Sequence, residues 1–200
     1  MKSKLFYSIG ILLAANLSVQ AATTINILSS SAFGFYKTSG GASLAENSLL
    51  RYGTFDVSSY NALSTSQKNT YSEVNALFTE LGTVSASANG DILSTGNDFS
   101  FPTNGINNGD QLYTWVFNVP VATNATEWGI FSSSNALWKV ANDPGNSNLS
   151  NNNIDQFIAG SAGAGDNVRL TTGVNVPEPS TFALIFGFMA LTWVAIRRRK

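Results

Sequence analysis

Short apolar runs, separated by clusters of glycine, asparagine, aspartate and proline, fill the chain from Thr23 to Asn175. This rhythm is typical of an antiparallel all-β domain. We expect a mainly β ectodomain, an antiparallel β-sandwich or jelly-roll-like fold. The seven candidate strands are Thr24–Leu28, Leu49–Phe55, Thr83–Ala88, Gln111–Val119, Glu127–Ser132, Ala136–Val140 and Val168–Thr171.

The strand from Gln111 to Val119 has the strongest pattern. Alternate residues point to opposite faces of a strand, so Tyr113, Trp115 and Phe117 share one face and Leu112 and Val116 share the other. Apolar residues on both faces predict a strand in the middle of its sheet. Pro120 ends it because proline cannot donate to the hydrogen-bond ladder.

One segment has a helical period instead. Apolar residues recur three or four positions apart, and we predict one amphipathic helix over Tyr71–Leu81. Thr70 and Glu73 have the spacing of a capping box, and Gly82 stands where a left-handed C-terminal cap belongs. Two polar stretches, Asn142–Asn153 and the glycine-rich Gly160–Asp166, are interpreted as a mobile loop and as a flexible hairpin or loop.

The N-terminus has the pattern of a secretory signal peptide. Met1–Lys4 is basic, Leu5–Leu17 is apolar, and small residues stand at Val19 and Ala21. The apolar run is shorter than the roughly 20 residues that span a bilayer. We therefore predict a signal peptide over residues 1–21, with cleavage between Ala21 and Ala22.

The C-terminus combines three features in order. Val176–Thr181 holds two prolines that favour extended backbone, Phe182–Ile196 has no charge, and Arg197, Arg198, Arg199 and Lys200 end the chain. Fifteen helical residues reach about 22 Å, and basic side chains can snorkel to cover a shortfall against a bilayer core of ~30 Å. We predict a transmembrane helix over residues 182–196 with a cytoplasmic basic tail at 197–200.

Composition and charge narrow the function of the region between these ends. The chain has no cysteine and no histidine, which removes disulfides, Cys/His zinc sites and imidazole catalysis. Residues 22–176 carry five basic and eleven acidic residues, a formal net charge of −6. Such a domain would repel phosphate backbones, so we expect no nucleic-acid partner.

The C-terminal residues resemble the PEP-CTERM sorting signal of exported bacterial proteins. The resemblance rests on Val176, Pro177, Glu178 and Pro179, the apolar helix and the basic end. It implies an exosortase substrate, anchored in the inner membrane before processing and then released or attached at the cell surface or in the extracellular matrix. The chain then divides into a signal peptide (1–21), a β-rich extracytoplasmic domain (22–175) and a sorting signal (176–200). The alternative is a plain membrane anchor with a stiff linker.

Some side chains of the domain could bind a ligand or catalyse a reaction, and each also has an ordinary structural explanation. Trp138 and Tyr113 could stack on sugar rings of an exopolysaccharide, although burial in the core is the favoured explanation of the aromatic residues. Asn97–Asp98 and Asn107–Asp110 could supply calcium ligands, and turns use the same residues. Asp56 and Glu127 could run glycoside hydrolysis, yet nothing pairs them.

We therefore expect no cofactor, no metal and no enzyme activity. The predicted function is that of an exported surface or matrix protein, processed by signal peptidase and an exosortase, with a structural or adhesive domain. The alternative is a carbohydrate-binding module delivered by the same signal.

Overall fold

The computed structural model describes residues 22–142 and 144–173. Within them the chain forms twelve strands, three short α-helices and three 3-10 turns. The strands are β1 (Thr23–Ser29), β2 (Tyr36–Lys37), β3 (Leu49–Phe55), β4 (Phe78–Ser85), β5 (Ile92–Phe99), β6 (Tyr113–Phe117), β7 (Glu127–Ser132), β8 (Gly145–Ser150), β9 (Gln156–Ala159), β10 (Ser161–Ala162), β11 (Val168–Arg169) and β12 (Thr171–Thr172). The helices are α1 (Val57–Ala62), α2 (Thr65–Lys68) and α3 (Tyr71–Asn75), and the 3-10 turns span Ala122–Asn124, Ala136–Trp138 and Asn151–Asn153. The prediction of a mainly β domain is confirmed.

A six-stranded sheet forms the centre of the domain. Its order is β12-β7-β6-β3-β4, with β9 also paired to β7, and all of its pairs are antiparallel. Strands β3 and β7 have the predicted bounds. Strand β6 lies in the middle of this sheet with all five residues buried, as its two apolar faces predict.

Two three-stranded sheets accompany the central sheet, in the orders β5-β1-β8 and β10-β11-β2. Each of them contains one parallel pair, β1 with β8 and β11 with β2. The expectation of purely antiparallel pairing is therefore wrong for these two pairs. A parallel pair needs a long connection, and no local turn signal in a sequence reports it.

Two apolar cores lie on opposite faces of the central sheet. The first core joins Leu50, Val116 and Phe131 of the central sheet to the small sheets, through residues such as Ile27 and Val168. The second core is formed by the other face of the central sheet with side chains of the helices and the 119–125 segment: Phe55, Tyr60, Val74, Phe78, Tyr113, Trp115, Phe117, Ala122, Ala125, Trp128, Ile130 and Ala159. Successive residues of β6 thus serve different cores, because side chains alternate along a strand.

The predicted helix over Tyr71–Leu81 is wrong beyond Asn75. Helix α3 ends there, and β4 begins at Phe78 and pairs with β3 along its whole length. Thr70 makes no capping side-chain bond, and Gly82 lies within β4, opposite Tyr52. The apolar stripe is nevertheless real at Val74 and Phe78, which both enter the second core. Pairing with β3 decides the conformation that the local period leaves open.

Two other expectations are wrong. Residues 142–153 are not simply a loop, since β8 pairs with β1 and buries Ser147 and Leu149. Residues 136–140 are not a strand, because Ala136–Trp138 forms a 3-10 turn capped by the Asn135 side chain. The sequence pattern also missed β5. The sequence predicts a hairpin or a loop over residues 160–166. These residues include strand β10, which pairs with β11 in an antiparallel hairpin.

Within residues 22–142 and 144–173, no helix combines the length and the apolar character needed to cross a membrane. The predicted signal peptide (1–21), sorting motif (176–181), transmembrane helix (182–196) and basic tail (197–200) lie outside the described residues.

Candidate functional site

The proposed sugar-stacking pair is not formed. Trp138 is completely buried in the first core, and Tyr113 is 8% exposed in the second core. The two rings therefore lie on opposite faces of the central sheet. Trp115 and Trp128 are also buried, and they pack against each other with ring centroids 6.0 Å apart. A sugar ring needs an open aromatic face, and none of these rings offers one in this fold.

The most connected ionic group is Arg51 of β3. Its guanidinium donates to the Glu80 carboxylate at 2.5 Å and to Asn75 Oδ1 at 2.7 Å. It also lies 5.0 Å from the ring centroids of both Trp115 and Phe78. The Arg51 side chain is 12% exposed. These contacts fasten helix α3 and strand β4 to strand β3, which is a structural role.

The two carboxylates considered for hydrolysis are engaged elsewhere. Asp56 is the N-cap of α1 and accepts bonds from Ser58 and Ser59. These bonds, the Ser58 side chain first, lower the pKa of Asp56 from 3.8 to about 2. Glu127 accepts from Ser39 N at 2.7 Å and from Ser39 Oγ at 2.8 Å. A general acid needs a raised pKa, so Asp56 is unsuited to that role.

Asp155 is committed in the same way as Asp56. It accepts from the backbone and side chain of Ser134, and these bonds, the side-chain bond first, lower the pKa of Asp155. Both acids therefore stabilise the ends of turns or helices as anions.

The asparagine-rich segments considered for calcium serve backbone geometry. Asp110 accepts from Asn107 N at 2.8 Å, and Gly109 has a φ of 90° in the turn between them. Asn97 and Asp98 lie within β5, where Asp98 accepts from Thr24 Oγ1 at 2.6 Å. In the part of the chain that the structure describes, no three metal-ligating side chains of the His, Cys, Asp or Glu type gather.

An ordered polar surface remains on the β5-β1-β8 sheet. We call it the outer face: the side chains of this sheet that point away from the first core. Register places Thr24 beside Asp98, Asn26 beside Asn148, and Leu28 beside Leu93. Asn26 Nδ2 donates to Asn148 Oδ1 at 2.8 Å, and Asn26 Oδ1 accepts from Gly96 N at 3.0 Å. Leu93 is 53% exposed.

Sequence reasoning missed this surface for a definite reason. The alternation Ile25-Asn26-Ile27 does show that Asn26 points away from the core. Its partner Asn148, however, lies in a parallel strand that the pattern did not identify.

Comparison with known proteins adds no relative: no protein-family model matches the chain, and neither a curated protein nor a solved structure is found to be similar.

Proposed function

We propose that this chain is an exported bacterial protein, processed by signal peptidase and then by an exosortase, whose β-rich domain has a structural or adhesive role at the cell surface or in the extracellular matrix. One observation carries the proposal. A Pro-Glu-Pro segment, fifteen uncharged residues and four terminal basic residues follow one another at the C-terminus of a chain that begins with a signal-like segment.

The first and last residues of the described domain support this proposal. Strand β1 begins at Thr23, just after the proposed cleavage between Ala21 and Ala22. At the other end, Gly173 N donates to Thr126 O at 2.8 Å, ahead of Val176 and Pro177. The proposed signal-peptide cut precedes β1, and the sorting segment from Val176 follows β12, so removal of either segment would leave the described strands intact.

The domain also favours a structural role over a catalytic one. Asp56 and Asp155 are held as anions by hydrogen bonds to neighbouring serine residues, and Glu127 fastens residue Ser39. The six-stranded sheet faces the small sheets across the first core, which supports the predicted sandwich architecture. We infer a rigid scaffold that presents surfaces.

Fractionation of producing cells tests the sorting proposal. With a tag inserted after Ala22, the mature protein is expected in the envelope or the extracellular polymer, shortened at both ends. Deleting an exosortase of the host should leave the C-terminal tail attached. A cytoplasmic product of full length would contradict the proposal.

The alternative is binding of exopolysaccharide, and the outer face is the surface that favours it. Asn26 and Asn148 are hydrogen-bonded to each other, and Asp98 accepts from Thr24. These amide and carboxylate groups suit the hydroxyl groups of a glycan. Polysaccharide retention by the wild type and by Asn148→Ala tests this alternative. Asn108→Ala is the control, since Asn108 is exposed in a turn that is not part of the β5-β1-β8 sheet. Equal retention of all three proteins would contradict binding at the outer face.

A further inference from the structure

The chain contains three Asn-Gly pairs, at Asn89-Gly90, Asn104-Gly105 and Asn108-Gly109. An asparagine followed by glycine is open to an internal reaction, because glycine has no side chain to shield its backbone nitrogen. The fold places the three pairs in different surroundings. Three sites that are equivalent in the sequence therefore differ in exposure and in hydrogen bonding.

The Asn104-Gly105 pair forms the tip of a tight hairpin. Thr103 and Ile106 exchange two backbone bonds, of 3.0 and 2.8 Å, around it. Both tip residues have positive φ, 51° for Asn104 and 79° for Gly105, as a type I′ turn requires. Both are exposed, and a Cβ added to Gly105 would meet no atom within 4 Å beyond its chain neighbours.

The availability of the glycine N–H distinguishes the three sites. Gly90 N donates to Ser87 O at 2.9 Å, and Gly109 N donates to Val140 O at 2.8 Å. Gly105 N donates to no acceptor within the described ranges 22–142 and 144–173. Gly109 shares the open surroundings of Gly105 but not its free N–H, whereas Gly90 is buried. Only the Asn104 site therefore combines a free nitrogen with open space.

We propose that Asn104 is the principal site of spontaneous deamidation in the folded protein, through attack of the Gly105 backbone nitrogen on the Asn104 side-chain amide. The nitrogen forms a bond to Cγ and loses its proton, while the side-chain nitrogen leaves as ammonia. Water then opens the resulting cyclic imide at either carbonyl, giving aspartate or isoaspartate. No oxidant, reductant or enzyme is required.

The product would weaken this corner of the fold. Asn104 Nδ2 donates to Glu80 O at 3.3 Å, and an aspartate has no donor for that carbonyl. Isoaspartate also adds a methylene to the main chain between Thr103 and Ile106. Because Ile106 is 1% exposed in the first core, this lengthening disturbs a packed side chain.

The test follows the three asparagines in the full-length protein, kept in detergent at mildly alkaline pH. Tandem mass spectrometry of proteolytic peptides assigns the amide-to-acid mass gain to individual residues over time. Asn104 is expected to react about fivefold faster than Asn89 and Asn108, since at those sites a backbone hydrogen bond must first break. In concentrated urea the three rates should converge.

Two variants sharpen the result. Asn104→Gln has a longer side chain that cyclises poorly, so it should remove most of the modification from the folded protein. The matched variant Asn108→Gln should leave the rate at Asn104 unchanged. Deamidation of Asn89 or Asn108 at the rate of Asn104 in the folded chain would overturn the proposal. So would an Asn104 that reacts only in urea.

Discussion

At the scale of single residues, Arg51 joins strand β3 to helix α3 and strand β4. Replacing it with methionine removes the bonds to Glu80 and Asn75 and the two ring contacts, while keeping an apolar chain of similar length. We expect a loss of about 2 kcal/mol in the free energy of unfolding, because these hydrogen bonds and ring contacts disappear. The loss is not larger because the Glu80 carboxylate is partly exposed and can be hydrated once Arg51 is replaced. Urea unfolding measures this loss.

Lys139→Met is the matched control for Arg51→Met. Lys139 is exposed, so its replacement should change the free energy of unfolding by less than about 0.5 kcal/mol. Equal effects of the two substitutions would show that Arg51 does not fasten α3 and β4.

The Asp56 cap predicts a pH dependence of stability. Its pKa is about 2 in the folded protein and 3.8 without these bonds, so the carboxylate stabilises the fold above pH 4. This contribution is lost as the pH falls through about 2. Asp56→Asn, which can still cap, is expected to show a smaller decrease of the urea midpoint between pH 4 and 2. Ser58→Ala removes one of the hydrogen bonds that lower the pKa of Asp56, so the pH range over which the urea midpoint decreases should become narrower. An unchanged pH profile in both variants would contradict the assignment.

The buried tryptophans predict a spectroscopic result. Trp115, Trp128 and Trp138 are at most 6% exposed, and Trp193 lies outside the described residues. In a Trp193→Phe variant, emission should be strongly blue-shifted and poorly quenched by acrylamide. Polysaccharide should leave the spectrum unchanged, even if it binds at the outer face. A red-shifted spectrum that moves with added glycan would contradict the burial of these rings.

At the scale of elements, the pairing of β3 with β4 depends on a close backbone approach. The register shifts between Tyr52 and Gly53, and a Cβ at Gly53 would lie 2.0 Å from Thr79 O. Gly53→Ala must therefore push the two strands apart, and we expect a loss of about 2 kcal/mol in the free energy of unfolding. Gly40→Ala is the control, since its Cβ would meet only Thr38 Oγ1 at 4.0 Å. Similar thermal midpoints for both variants would contradict this account.

At the scale of the whole molecule, the Pro-Glu-Pro segment and the basic end of the C-terminus should have different effects on processing when they are replaced. Alanine at Pro177, Glu178 and Pro179 favours helix and restores the backbone N–H groups that proline lacks. If the predicted helix then extends upstream, the chain should stay at full length in the membrane. On the proposed topology, replacing residues 197–200 with neutral residues removes the charge bias that would hold the tail in the cytoplasm. Some protein should then appear outside with its tail attached.

Immunoblots of membrane and medium fractions, with a tag placed after Ala22, separate these two outcomes. The wild type processed beside them is the control. If both variants are shortened to the wild-type size, no protease reads these features and the C-terminus is an anchor only.

The sequence by itself determined the elements whose signal is local. Strands β3 and β7 have the predicted bounds, and β6 lies in the centre, because a strand with two apolar faces can be covered only from both sides. The absence of cysteine and histidine and the acidic charge of the domain also follow from the sequence alone. The features of the chain ends remain sequence-based predictions.

Tertiary structure decided whatever depends on distant partners. The stretch from Phe78 to Leu81 continues a helical period, yet it becomes a strand because β3 supplies a complete hydrogen-bonding edge. The polar β8 is a strand because β1, more than a hundred residues earlier, pairs with it in parallel. The same holds for chemistry. Trp138 and Tyr113 are separated by a sheet. Among the described residues, only one of the three Asn-Gly pairs has a glycine N–H without an acceptor, since hydrogen-bond partners are set by the packed fold.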